Sequence, residues 1–210
     1  LPLSASLVLA APATLPAAVR IAVIPLPPQT FSFANDVNDR GEIVGIHSNG
    51  SAVRAFVLTK KGAGVFSFPG SSFTSATGLN DPGEIVGIHA TDDGMRGFFR
   101  SRTGRFSTIS VPGGAETTPE DINRRRQVVG HFTQLQANGD PLVRGFLLDA
   151  RGLRVLDNPL GGFYTLPQAM NDSGTIVGWF GGPEGDDPRH GFVLRGSRWT
   201  AVNYPGANQT

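Results

Sequence analysis

An all-β fold, built as a small β-propeller of four-stranded antiparallel blades, is what this sequence predicts. Three observations carry the prediction. A segment reading Asn-Asp-x-Gly and then Ile-Val-Gly starts at Asn38, Asn80 and Asn171, and recurs in altered form at Asn123. Its starts lie 42, 43 and 48 residues apart, a period that signals a repeat array. Between the copies, short β-branched or aromatic runs alternate with Gly- and Pro-containing turns, and nothing reads as a capped amphipathic helix.

In chain order, residues 1–19 are apolar, alanine-rich and uncharged. They read as the apolar core and cleavage region of a secretory signal without its basic start. The run is too short and proline-broken to span a membrane, and no other stretch is long enough. A single repeat domain follows over 20–210, with units at about 31–70, 71–113, 114–161 and 162–206. Ahead of them, residues 20–25 hold a lone copy of the fourth strand, Ile21-Ala22-Val23-Ile24-Pro25.

Each unit opens on a short run of small residues, such as Ser75-Ala76-Thr77-Gly78-Leu79. Small side chains suit a crowded axis, so this first strand is expected innermost. The Asn-Asp-x-Gly turn comes next, its glycine supplying a left-handed residue. The third copy has Arg124-Arg125-Arg126 there, which predicts a different turn. The Ile-Val-Gly strand follows, then a variable polar loop. A third strand opens on a basic residue: Arg54, Arg96, Arg144 or His190. The fourth strand ends in Pro or Pro-Gly. Three short links and one long one per unit describe an up-down sheet with a crossover to the next. Four units and a spare strand predict a four-bladed ring closed by overlap of its ends. A five-bladed ring is the alternative, with the leader supplying strands.

The pattern Ile/Leu-Asn-Asp-x-Gly-x-Ile-Val-Gly, then Arg/His-Gly-Phe, then a strand ending in Pro-Gly, resembles the HAF-type extracellular repeats of bacteria. The resemblance covers about residues 20 to 210. His190-Gly191-Phe192 matches it most closely; Arg54, Arg96 and Arg144 depart from it, and Ala55 departs again. It implies a secreted bacterial repeat protein, extracellular or periplasmic, and no particular activity.

Composition narrows the function further. The 210 residues carry a net charge of +1, which gives no electrostatic case for a nucleic-acid partner. The absence of cysteine removes disulfides, thiolate metal sites and a cysteine nucleophile. There is no nucleophile elbow, zinc-protease helix motif, phosphate loop or dinucleotide fingerprint.

Repeat registry then groups the remaining candidates. His47, His89 and His131 leave the second strands toward the variable loops, where Arg54, Arg96, Arg144 and His190 enter the third strands. Arginine binds carboxylate and sulfate with paired hydrogen bonds, and Tyr164 and Trp179 lie near loop ends where they could stack on a sugar. This loop face is the expected site for a small anionic or glycan ligand. The same arginines could instead tie one blade to the next, since buried polar groups need partners. The alternative function is a metal-assisted hydrolase, lactonase- or esterase-like, at the channel mouth. Asp36 and Asp121 occupy equivalent first-strand positions, where Gly78 and Ala169 stand in the other units. Across an axis they could hold calcium or another divalent cation. The catalytic candidates are Asp36, Asp121, His47, His89, His131 and His190. A purely structural role as an assembly domain is the third reading, and the sequence fixes no oligomeric state.

Overall fold

The computed structural model describes residues 24–27, 31–159, 163–181 and 189–202. The leader 1–19, residues 20–23 of the spare strand and the last Pro-Gly lie outside them, and residues 24–27 are irregular. Sixteen strands and no helix occur among the described residues. The first unit holds β1 (Phe31–Val37), β2 (Ile43–Ser48), β3 (Val53–Thr59) and β4 (Gly62–Phe66). The second holds β5 (Thr74–Leu79), β6 (Ile85–Thr91), β7 (Gly94–Arg100) and β8 (Phe106–Ile109). The third holds β9 (Glu116–Ile122), β10 (Val128–Leu135), β11 (Pro141–Asp149) and β12 (Gly152–Leu156). The fourth holds β13 (Tyr164–Met170), β14 (Ile176–Gly181), β15 (His190–Arg195) and β16 (Arg198–Val202).

Within each unit the strands are antiparallel neighbours in chain order, the up-down sheet that the short links predict. Crossovers bring the start of a first strand alongside the previous third strand. Val143 pairs in parallel with Tyr164, and Val53 with Phe73 at the equivalent place. β1, β5, β9 and β13 pack on one another in series, so the small-residue strands are the inner ones.

The repeated asparagine holds both the turn and the interface. Asn80 Oδ1 accepts the Glu84 N–H at 2.8 Å, and its Nδ2 donates to the Glu84 carboxylate and to the Asn123 carbonyl of the next unit, both at 3.0 Å. Asn38 donates likewise to the Asn80 carbonyl at 3.2 Å, and Asn123 to that of Asn171 at 3.3 Å. The second-strand glycine is required by close approach. A Cβ on Gly45, Gly87, Gly130 or Gly178 would lie 1.9 to 2.1 Å from a first-strand carbonyl oxygen.

The arginine-rich third turn does not differ from the others. Arg126 adopts φ 59°, in the left-handed region held elsewhere by Gly41, Gly83 and Gly174. Asn123 closes it with the same bonds, accepting from the Arg126 and Gln127 N–H groups. The Arg126 guanidinium reaches back to the buried Glu84 carboxylate at 2.5 Å. That contact gives a residue with a Cβ a reason to occupy an unfavourable backbone region.

The core lies between sheets. Phe56, Phe98, Phe146 and Phe192 are fully or almost fully buried. Each contributes roughly 1.5–3 kcal/mol by leaving water. Val44, Val86 and Val129 share clusters with Leu79, Ile122 and Met170 of the following sheet. The third-strand glycine seats the next unit: a Cβ on Gly97 would meet Pro119 at 2.6 Å, and one on Gly145 would meet Pro167 at 2.9 Å. Ala55 departs from this glycine because its neighbour is the smaller Ala76, both fully buried. Among the described residues the first and fourth units are not paired with each other, and the expected overlap of ends lies outside them.

Candidate functional site

A β-bulge recurs at one position of every first strand. Pairing skips Asn35 between Ala34 and Asp36, and Thr77 between Ala76 and Gly78. It skips Glu120 between Pro119 and Asp121, and Gln168 between Pro167 and Ala169. A bulge leaves one residue out of the ladder and re-aims its side chain. Because the four strands pack in series, the four bulged residues converge. Asn35, Thr77, Glu120 and Gln168 together line a cavity of about 330 Å³. Two of them also stitch the units together: Asn35 Nδ2 donates to the Ala76 carbonyl and Thr77 Oγ1 to the Pro119 carbonyl, each at 2.7 Å.

Glu120 is the one ionisable member, and it faces His131, with Oε1 3.3 Å from Nδ1. His131 stands one position earlier than His47 and His89. Successive side chains of a strand face opposite sides, so the shift turns its ring away from the loop-face pairs. Register confirms the exchange: His47 and His89 lie opposite Arg54 and Arg96, while His131 lies opposite Gly145. Burial, and then the neighbouring Asp121 charge, push the Glu120 carboxyl up to about 7. Burial alone pulls the His131 imidazole down to about 4. Above about pH 4 and below about pH 7 both groups are therefore mostly uncharged, an acid beside a base, and not an ion pair. The 3.3 Å approach lacks hydrogen-bond alignment, so the buried Nδ1 has no bonded partner among the described residues.

Asp36 and Asp121 sit next to the bulges but tie units together. Asp36 accepts the Val37 N–H at 2.8 Å and the Leu79 N–H of the next unit at 2.7 Å. Asp121 accepts the Ile122 N–H and the Met170 N–H of the next unit, both at 2.6 Å. Burial raises both carboxyls against those bonds, and the Asp36 charge raises Asp121 further. Each of the four oxygens thus already accepts a backbone donor. Among the described residues no group of three or more His, Asp or Glu side chains is placed to hold a metal ion.

At the turn end of the axis a cavity of about 280 Å³ is lined by Asp36, Asp39, Asp81, Asp121 and Asp172, among others. Arg124 occupies the turn position that is Asp in the other three units, and answers their charge. It contacts Asp39 at 2.8 Å and Asp172 at 3.2 Å, and is also paired with Asp81.

The loop-face candidates are largely engaged. Arg96 donates to the Ala115 carbonyl of the next unit. Arg144 grips Asp157 with two donors and Gln134 with a third. Arg54 is exposed. His47 and His89 are buried, and His89 lies flat on Phe68 with centroids 3.6 Å apart. Burial lowers the His89 imidazole, with the Arg96 charge adding to it. His190 lies against Phe180 at 5.2 Å. Trp179 is capped by the Arg189 guanidinium at 4.9 Å, and Tyr164 is half-buried. A larger cleft of about 770 Å³ opens between the first two units, lined by Arg40, Lys60, Lys61, Arg100 and Arg102 beside Asp39 and Glu42. It lies away from the bulges and from the Glu120–His131 pair.

No protein-family model and no curated protein matches this chain. Solved structures do. A streptogramin B lyase structure is 18% identical with a TM-score of 0.51, covering 88% of this chain and 58% of its own. The virginiamycin B lyase of Staphylococcus aureus is 16% identical with a TM-score of 0.52, covering 88% and 59%. A catalytically inactive histidine-to-alanine variant of that enzyme with quinupristin gives 16%, 0.52, 87% and 59%. At these identities the likeness shows the fold, an all-β array of propeller type. This chain spans about three fifths of the length of the structures it matches.

Proposed function

We propose that this chain is a secreted repeat propeller that binds a polyhydroxylated ligand, such as the end of a glycan, in the axial cavity. The carrying observation is the fourfold bulge. The same backbone irregularity in each unit delivers one polar side chain to one cavity: an amide, a hydroxyl, a carboxyl and a second amide. Such groups pair with sugar hydroxyls, each of which both donates and accepts. A protonated Glu120 adds a donor without a net charge. An anionic ligand is less well served on the loop face, where Arg96 and Arg144 already have partners. The extracellular setting is supported by the resemblance to HAF-type repeats and by the apolar leader.

The test is calorimetry against a panel of neutral oligosaccharides and their uronic-acid counterparts. Neutral members should bind, and Asn35→Ala or Gln168→Ala should weaken them at least tenfold. Binding that survives both changes and is lost in Lys61→Ala or Arg102→Ala would move the site to the basic cleft and sink this reading.

A second reading, acid–base catalysis at the same cavity, is favoured by the Glu120–His131 pair. Groups whose environments push their proton affinities apart are what such chemistry uses. It would serve a hydrolase or a lyase, and the fold does carry a lyase that a histidine-to-alanine change inactivates. The metal-assisted form would draw on Asp36 and Asp121, whose oxygens are in use. Turnover of an ester, lactone or glycan panel, abolished by Glu120→Gln and unaffected by a chelator, would favour the metal-free form.

A further inference from the structure

We infer that the cleft between the first two units is a binding site for a small organic oxyanion, one that carries two negative charges on an apolar body. The cleft opens where one side chain is missing. Glu42 and Glu84 hold equivalent places after the repeated turn. Between the second and third units, Arg126 reaches back to Glu84 at 2.5 Å and seals a carboxylate that is only 3% exposed. In the second unit the place of Arg126 is taken by Gly83, which lines the cleft and has no side chain to send back toward Glu42. Glu42 is answered from within its own unit instead, by Arg40 at 2.6 Å. The place that Arg126 fills at one interface is therefore open at the other, within a cavity of about 770 Å³. Binding sites for small organic molecules run from roughly 300 to 1,000 Å³.

The charges that line the cleft are unbalanced. Its two acids, Asp39 and Glu42, already have cations, Arg124 at 2.8 Å and Arg40. Lys60, Lys61, Arg100 and Arg102 remain, and none of these four side chains makes a hydrogen bond or an ion pair among the described residues. Arg100 is half-buried, and the other three are exposed. The Arg100 guanidinium lies over the Phe66 ring, 4.5 Å from its centroid, and 5.8 Å from that of Phe106 in the second unit. These rings hold it in place but offer its donors no oxygen. Burial also lowers its proton affinity from the ordinary value, so an anion beside it is worth more than one beside an arginine in water. A guanidinium meets a carboxylate, sulfate or phosphate with two parallel hydrogen bonds. The stem of Arg102 passes over Gly83, where a Cβ would lie 3.8 Å from its Cγ. Val57, Leu79 and Ile85 supply apolar lining. A head group on Arg100, a second charge among Lys60, Lys61 and Arg102, and an apolar body between them would use every part.

Both walls come from two consecutive units, and the cleft shares no residue with the bulge cavity. The inference therefore stands or falls apart from the glycan reading.

Calorimetry on the full chain tests it, at about pH 8, where a phosphate monoester carries two charges. The probes are phenyl phosphate, benzene-1,4-dicarboxylate, benzoate and inorganic phosphate. The two ring dianions should bind one to one, and the tighter of them names the preferred head group. Benzoate lacks the second charge and inorganic phosphate lacks the apolar body, so each should bind at least tenfold more weakly. Arg100→Gln should weaken the ring dianions at least tenfold. Lys61→Gln and Arg102→Gln, at exposed residues, should weaken them severalfold with an unchanged far-ultraviolet spectrum. Gly83→Arg copies the arginine of the third unit into the second. It adds a cation, so plain surface attraction would tighten binding, whereas a filled cleft should lose it at least tenfold. Asn35→Ala, in the axial cavity, should leave dianion affinity as it was. The inference is overturned if neither ring dianion binds the parent at millimolar concentration, if inorganic phosphate binds as tightly as phenyl phosphate, or if a folded Gly83→Arg protein binds as well as the parent. Unchanged affinity in Arg100→Gln, Lys61→Gln and Arg102→Gln alike overturns it too, and needs no folded Gly83→Arg protein.

Discussion

Relative to the parent, a protein with Glu120 replaced by glutamine should gain stability as pH rises from 4.5 to 6.5. In the folded chain the Glu120 carboxyl holds its proton up to about 7, against 4.5 when solvated. Its contribution to stability is therefore full below 4.5 and is lost as pH rises toward 7. The His131 imidazole behaves oppositely, staying neutral down to about 4 when folded and taking a proton below 6.5 when unfolded. Its contribution is full above 6.5 and is lost as pH falls toward 4. Each group sets a slope of about 1.4 kcal/mol per pH unit, of opposite sign, so the two cancel across the shared window. Over two units that is about 2.7 kcal/mol apiece, reduced to about 2 because the side chains are 23% and 20% exposed. Relative to the parent, Glu120→Gln should thus gain about 2 kcal/mol of stability as pH rises from 4.5 to 6.5, and His131→Gln should lose about 2. Urea unfolding at constant ionic strength, read as differences from the parent, removes the titration of all other groups. A difference that does not change with pH for either variant would show that Glu120 ionises normally, and would remove the acid–base pair from the site.

Two further outcomes test the frame that holds the cavity. Asn80→Ala strips the Glu84 N–H and the Asn123 carbonyl of a buried partner and should cost about 2–3 kcal/mol, whereas Asn171→Ala, on an exposed residue, should cost less than half of that; equal costs in denaturant unfolding would count against the asparagine ladder. Arg124→Ala leaves Asp39, Asp81 and Asp172 facing one another without a cation, so its melting temperature should fall at low salt and recover as salt is added; a salt-independent deficit would mean that the arginine acts by packing alone.

The repeat period, the up-down strand order and the inner place of the small-residue strand were legible because each follows from the local pattern. The grouping of His131 with His47 and His89 on the loop face is corrected by the structure: His131 stands one step earlier in its strand and so faces the other side. The bulge was not legible. Alternation directs attention to Asp36, Gly78, Asp121 and Ala169, one residue beyond the side chains that reach the cavity. A bulge is a two-against-one event in pairing, visible only when the partner strand is known. A fainter signal existed: Asn35, Thr77, Glu120 and Gln168 are all polar at one repeat position. The arginine turn misled for a related reason. Glycine is the usual left-handed residue, and the Glu84 contact that accompanies Arg126 comes from the preceding unit. The groups that occupy Arg96 and Arg144, the Ala115 carbonyl and Asp157, come from links elsewhere in the chain and leave no mark in spacing.

The third unit concentrates the departures. It alone has an acid at the bulge, a histidine one step early in its second strand, and arginines in place of the Asp-x-Gly turn. These do not fall at random. Glu120 and His131 meet beside the axial cavity, and Arg124 meets three aspartates at the turn end of the same axis. Near-identical units around an axis make near-identical surfaces, and a ligand lying on the axis would meet the same group from every side. One divergent unit gives such a cavity a direction: a carboxyl on one wall, with amides and a hydroxyl on the others. It also carries a cost that the rest of the array must tolerate, since a carboxyl kept from water disfavours its own ionisation. The first, second and fourth units keep neutral side chains at the bulge, and that restraint leaves room for Glu120 to remain protonated. If the acid were moved, by exchanging Glu120 and Gln168, the cavity would keep its composition but lose its contact with His131. Ligand binding that survived the exchange, with the pH dependence abolished, would separate the two roles assigned to this position.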